Sequence, residues 1–416
     1  MTAPSVYVPD SAYAWRRLAV AFTASMIIGV GMWAPVVVLP YAQADFGVDR
    51  AGISAAYTAM MLGFAAGTVG VGVLSDRIGA ALSYAVSAFA VGLGFAFAGF
   101  APNAPLFALA HGLLIGLGAA VGFGPTLADV SHWFVVRRGL AVAIAACGNY
   151  VAGAIWPLVM NAAIPHLGWR GTYMALGAFV AATVPLLALA MRRRPEAATY
   201  AAAAAQAAKT RASLGLSPRA LTTLLCVAGF ACCAAMAMPQ VHIVAYCGDL
   251  GYGPARGAEM LSLMLALGVI SRLASGKIAD GIGGAAMLVV GSFGQGLALS
   301  LFLLFDGLTA LYALSGFFGL AQGGIVPMYA VIARETLPPE TAGARIGIII
   351  GATVFGMAFG GMVSGFISDF AHSYAPAFAA GVGWNLLNFA LAFWLYRRMS
   401  RPSARFDGLA TPEYRV

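Results

Sequence analysis

Arg272 is the residue of this chain that most needs a chemical explanation. It is the only charged side chain between Glu259 and Lys277, in an otherwise apolar run. Arginine keeps its proton in proteins. In hydrocarbon it costs several kcal/mol unless it faces a cavity or a partner. Two readings are open. The guanidinium can hold a carboxylate, bidentately if the geometry allows. Alternatively it can snorkel to the rim marked by Lys277, five residues or about 7.5 Å away along a helix. No Asp or Glu stands at mid-depth in any apolar run: Glu259 opens one, Asp129 ends another and Asp369 falls just beyond a third. An unpaired cation is therefore expected in a wet cavity. Closing protein over it would strip its water at high cost unless an anion came with it. One fixed cation suits one carboxylate better than two.

Other side chains could line such a cavity. Tyr329, just after Pro327, has a hydroxyl to donate, with interhelical packing as the plainer reading. His242, near Pro239 and Gln240, is of the one residue type that ordinarily changes charge near neutral pH and could carry a coupled proton; the alternative is a hydrogen-bonded structural histidine. Tyr150 beside Asn149, together with Phe123, Trp156 and Trp33, could form apolar walls or ordinary core. His111 and His166 are read as loop-proximal and structural. The five cysteines, Cys147, Cys226, Cys232, Cys233 and Cys247, lie in apolar stretches without metal-type spacing, and packing is expected of them.

The elements that must position these groups follow from composition. Hydrophobic residues make up 61% of the 416 and charged residues 9%, against about 25% charged in soluble domains. Apolar runs at 17–40, 53–74, 81–101, 104–130, 137–160, 170–191, 219–247, 256–278, 284–305, 308–333, 342–368 and 374–396 approach the ~20 residues that span a bilayer. They are continuously apolar rather than alternating, so helices are expected and a barrel is not. An all-α integral membrane protein of twelve transmembrane helices follows. No cleavable leader is expected, because the first run is long enough to span.

With the N-terminus placed inside, the outer loops carry only Arg50, Arg170 and Arg256, and Arg272 lies within a span; every other Lys and Arg falls inside. Both termini are therefore expected in the cytoplasm and the protein in the plasma (inner) membrane. The net charge of +8 marks topology, not a nucleic-acid partner.

The halves repeat. Gly72, Asp76 and Gly79 after the second run match Gly276, Asp280 and Gly283 after the eighth, each at an offset of 204, and Pro125 is echoed by Pro327 at 202. Two pseudo-symmetric six-helix bundles are expected, at 1–192 and 219–398, with a cytoplasmic linker at 193–218 and a tail at 399–416. Gly72 and Gly276 would let a neighbouring helix approach closely. Asp76 and Asp280 would cap a helix N-terminus or meet an arginine at the inner rim, latching and releasing a gate.

The segment Gly72–Gly79, with Arg77 inside it, resembles the Gly-x-Leu-x-Asp-Arg-x-Gly motif of the major facilitator superfamily, although Ala80 and Ala81 replace the basic pair that often follows. A finer resemblance, to the monocarboxylate transporter family with its bacterial oxalate/formate exchangers, is carried by His132-Trp133-Phe134, Arg137-Arg138-Gly139-Leu140-Ala141, Gly148, Gly153, Gly168-Trp169-Arg170 and Arg272. The resemblance implies that Arg272 binds the substrate carboxylate. Gly268 stands where animal members have a carboxylate, the first span lacks their lysine, and residues 346–368 lack the second cation of oxalate exchangers.

The function expected is alternating-access transport of small organic anions, monocarboxylates of the lactate or pyruvate kind, by proton symport or anion exchange. Efflux of larger, drug-like compounds is the alternative, and a non-transporting sensor a more distant one. No enzyme, cofactor or metal is implied, and a monomer in the lipid bilayer is expected.

Overall fold

The computed structural model describes residues 9–48, 50–193 and 207–400 apart from 209, 212 and 213. Most of the expected linker and all but the first residues of the expected tail lie outside them. Among the described residues there is no strand. A backbone crossing lipid must satisfy its own hydrogen bonds, and each long apolar run does so as a helix.

The spans are α1 (Ala12–Leu39), α2 (Ala55–Ile78), α3 (Ala80–Phe100) and α4 (Ala104–Trp133). Next comes one helical stretch, Arg138–Leu189, bent at Gly168 (φ 66, ψ 167), which makes α5 (138–167) and α6 (169–189). The second half holds α7 (Pro218–Ile243), α8 (Glu259–Ile282), α9 (Gly284–Phe302), α10 (Leu308–Thr336), α11 (Gly343–Ser368) and α12 (Ala375–Met399). Among the described residues the twelve expected helices are present, the fifth and sixth meeting directly at the non-helical backbone of Gly168. Large apolar side chains such as Leu158, Met362, Phe366 and Phe370 point outward, as on a face that meets acyl chains.

Three spans are interrupted. α1 bends at Gly29, where an added Cβ would stand 2.8 Å from the Ala152 Cβ. α4 passes through a π-helical turn, His111–Gly116, and a 3-10 turn, Ala120–Gly122, before breaking at Phe123 (φ −126, ψ −91). α10 breaks between Gln322 and Ile325. Pro125 and Pro327 each fall in the opening turn after a break, where a missing N–H costs no helical bond.

The repeat extends to backbone conformation. Gly79 has φ 88, ψ 161 and Gly283 has φ 87, ψ 153, a region that side-chain-bearing residues rarely adopt. Each half also has a buried polar centre. Ser25, Tyr84 and Thr126 join α1, α3 and α4. In the second half, Tyr329 donates to Asn388 Oδ1 (2.7 Å), Asn388 Nδ2 to Ser292 Oγ (2.8 Å) and Gln295 Nε2 to the Cys232 carbonyl (3.0 Å).

Candidate functional site

The halves meet chiefly along two helix pairs, α2 with α11 and α5 with α8, and α4 also packs on α11. Asp76, at the end of α2, accepts from the Gly343 and Ala344 N–H groups (2.9 and 2.8 Å) at the start of α11. Asp280, at the end of α8, accepts from Gly139 and Leu140 (2.5 and 3.2 Å) at the start of α5. Each carboxylate thus answers the free N–H groups and positive dipole end of a helix in the other half. The glycines permit this. A Cβ on Gly72 would run into the Gly343 carbonyl, and one on Gly276 into Ala143 and the Gly139 carbonyl. Arg77 is exposed beside this contact.

Farther along α8, Arg272 is 3% exposed. Its Nε donates to the Gly323 carbonyl (2.9 Å) and its Nη1 to the Ala146 carbonyl (2.9 Å). Its Cζ lies 4.0 Å from the Tyr150 ring centroid. Gly323 ends the first piece of α10, where helix carbonyls lack partners and attract a cation. Close packing sets this up, since a Cβ on Gly323 would strike the Gly268 backbone and one on Gly319 that of Met264. Ala146 and Tyr150 belong to α5, so the guanidinium bridges the halves. A ring facing a desolvated cation contributes up to about 2 kcal/mol.

The surroundings differ from those expected. Arg272 is not in a wet cavity: α5 covers it, and carbonyls and a ring replace water. It does not snorkel either, for its bonds run inward while Lys277 is exposed. No ion pair joins it to a carboxylate among the described residues. Two of its five donors are engaged there, and Nη2 makes no hydrogen bond among those residues.

Of the residues singled out in the sequence, Tyr150 touches Arg272, and Trp33 stands next to that contact. Its Nε1 donates to the carbonyl of Asn149 (3.1 Å), and its ring packs on Gly153. Trp156 donates to the Met26 carbonyl (2.8 Å) and ties α5 to α1. The others lie apart. Tyr329 is fully buried in the second half's polar centre, its hydroxyl spent on Asn388. The His242 Nε2 is 2.8 Å from the Gly361 carbonyl on α11, with Tyr374 beside it. Phe123 occupies the α4 break, where the adjacent Gly124 faces Thr68, Gly347 and Ile350. His111 is not near a loop. It is fully buried in α4, with Nδ1 2.8 Å from the Phe107 carbonyl and Nε2 3.1 Å from the Tyr173 hydroxyl. His166 is exposed near the Gly168 bend. All five cysteines are free thiols.

A largely buried charged pair escaped sequence reading. Arg17 binds Asp129 bidentately, Nε to Oδ2 at 2.9 Å and Nη2 to Oδ1 at 2.7 Å, with the guanidinium over Trp133. Its Nη1 also donates to the Met191 carbonyl (2.8 Å). A cavity of about 230 Å3 opens beside this pair, lined among others by Asp76, Arg192, Arg193 and Gly343. It does not reach Arg272. Within the cavity, Asp129 already answers Arg17.

Among the described residues, twelve spanning helices in two similar halves, joined at helix ends and around the buried Arg272, define a polytopic membrane transporter. The profile of the Major Facilitator Superfamily matches residues 21–308 and 279–413, and the chain belongs to that family. It is 28% identical to monocarboxylate transporter 13 of Rattus norvegicus over 66% of this chain and 62% of the relative, so the matched segment covers less than two thirds of that protein. It is 25% identical to the agnestins efflux protein AgnL12 of Paecilomyces divaricatus over 58% of this chain and 54% of the relative. The fold resembles the transporter FucP, solved in its outward conformation, with a TM-score of 0.72 at 17% identity over 91% of this chain and 98% of that one.

Proposed function

We propose that this transporter carries small organic anions, monocarboxylates first among them, by alternating access. The observation that carries the reading is Arg272: a buried cation between the halves, answered by two carbonyls and a ring but by no described carboxylate. Two of those partners, Ala146 and Tyr150, belong to the other half. When the halves part on this side, Arg272 keeps Gly323 and loses the other two. A carboxylate then supplies charge and acceptors in their place. Reclosing over a naked guanidinium is disfavoured by desolvation; reclosing over a neutralised one is not. The binding energy of the anion thereby couples to the movement of the halves.

In this reading Asp76 and Asp280 are the rim contacts that form and break. Both termini face the cytoplasm, as the basic residues indicate, and the structure corresponds to the state closed on that side. The halves are 1–192 and 219–398, acting as a monomer in the plasma membrane. Trp33, Tyr150 and Phe123 shape apolar surface near the path. Tyr329 supports it through the second half's polar centre. His242 is the titratable group to examine for proton coupling.

Export of a larger compound is the second reading, supported by the likeness to an efflux protein. A buried arginine disfavours cationic cargo. Uptake of radiolabelled mono- and dicarboxylates into proteoliposomes, with and without a pH gradient, tests both readings. Saturable monocarboxylate uptake by wild type, reduced at least about 100-fold in folded Arg272→Gln, is expected from the loss of a charged, bidentate partner. Equal uptake by the two proteins would reduce Arg272 to a structural residue.

A further inference from the structure

Gln322 is 1% exposed, and neither its Nε2 nor its Oε1 has a hydrogen-bond partner among the described residues. Buried amides are ordinarily satisfied, because an unpaired one forfeits its hydration without return. The position of this one is informative. Gln322 closes the first piece of α10, and the next residue, Gly323, supplies the carbonyl that accepts from Arg272 Nε. A Cβ on Gly268 would stand 3.4 Å from Gln322 Nε2 and 3.9 Å from Tyr150 Cε2. Gly268 lies one helical turn from Arg272 on the same face of α8. The free amide, the Tyr150 ring and the guanidinium therefore gather around one glycine, whose missing side chain leaves the amide its room.

We propose that Gln322 is a specificity-determining residue that reads a hydroxyl close to the carboxylate of the cargo. This rests on the reading of Arg272 as the anion site. The amide offers both a donor and an acceptor. A hydroxyl answers both, accepting from Nε2 and donating to Oε1. A keto oxygen answers the donor alone, and an unsubstituted carbon answers neither. A 2-hydroxy monocarboxylate is thus favoured over its 2-oxo analogue, and that over the unsubstituted acid. Sites built to pair a substrate hydroxyl reject the analogue that lacks it far more strongly than apolar pockets sort methylenes.

The test is a set of half-saturation constants in proteoliposomes for 2-hydroxybutanoate, 2-oxobutanoate and butanoate, with wild type, Gln322→Met and Arg272→Gln. Wild type is expected to favour 2-hydroxybutanoate over butanoate on the order of 10- to 100-fold. In Gln322→Met that ratio falls to near one while butanoate uptake is retained. A wild-type ratio near one, or an undiminished ratio in Gln322→Met, overturns the proposal. Failure of the underlying anion site looks different: Arg272→Gln then transports as well as wild type. Should Gln322→Met not fold, the melting temperature of wild type with each acid at equal concentration decides. A larger rise with 2-hydroxybutanoate supports the assignment, and equal rises overturn it.

Discussion

Three charges among the described residues are answered in three different ways. Arg17 has a carboxylate, Asp129, in a bidentate pair. Asp10 has three backbone donors, the N–H groups of Val135, Val136 and Arg137, each at 3.0 Å. Arg272 has only carbonyls and a ring, partners that a carboxylate can outbid. Its isolation was legible because charge is rare in an apolar run. Its partners were not, since no residue type marks a carbonyl as free. The Arg17–Asp129 pair was hidden likewise: both residues were placed at the same rim, but sequence spacing does not reveal a contact across 112 positions. Asp10 carries a prediction at this scale. Partial burial pushes its carboxyl up, but the three N–H bonds and nearby Arg138 hold it below the ordinary aspartate value. A carboxyl so lowered stabilises the fold fully above the ordinary range, and the contribution is lost as pH falls through the folded-state value. The melting temperature of solubilised wild type is expected to fall more between about pH 5 and pH 3 than that of Asp10→Asn. Parallel curves would show that the carboxylate contributes nothing.

Helix existence was legible, because an apolar run of spanning length has one stable form in lipid. The breaks were not. The sequence showed Pro125 and Pro327 as repeat partners without revealing that each restarts an interrupted helix, and two helices meet at the non-helical Gly168 where a longer loop was expected. These interruptions depend on which helix lies alongside, which local pattern does not encode. The paired Gly-x-x-x-Asp segments were readable as a repeat, and the positive φ of Gly79 and Gly283 explains why glycine recurs there. A prediction follows for the α8–α5 contact. Asp280→Asn keeps the shape and removes the charge from two helix-end hydrogen bonds. That weakens the closed rim by about 1–2 kcal/mol, or about tenfold in the open population. Cys147 on α5, 4% exposed and adjacent to Ala146, reports it. In a variant with the other four cysteines replaced by alanine, its labelling from the rim side by a charged thiol reagent is expected to accelerate about tenfold with Asp280→Asn. An unchanged rate would mean that this carboxylate does not hold the rim.

At the scale of the whole molecule, a pseudo-symmetric fold supplies two equivalent rim contacts, while Arg272 in α8 breaks the symmetry. Offset counting made the two halves legible. The same counting made the asymmetry legible too, for Gly268 and Arg272 occupy a span whose counterpart, Phe64 to Thr68 in α2, carries no charge. How the halves sit against each other was beyond the sequence. That arrangement turns Arg272 from the exposed cation expected into a covered one, which the proposed mechanism requires an anion to release. If so, binding itself, not only transport, depends on the guanidinium. The measurement that tests this most directly is equilibrium binding of one radiolabelled monocarboxylate to purified, monodisperse wild type and Arg272→Gln. Saturable binding by wild type, weakened at least about 100-fold in the variant, is the expected result. Equal affinity in the two proteins would contradict the account, because the anion would then be held somewhere other than at Arg272.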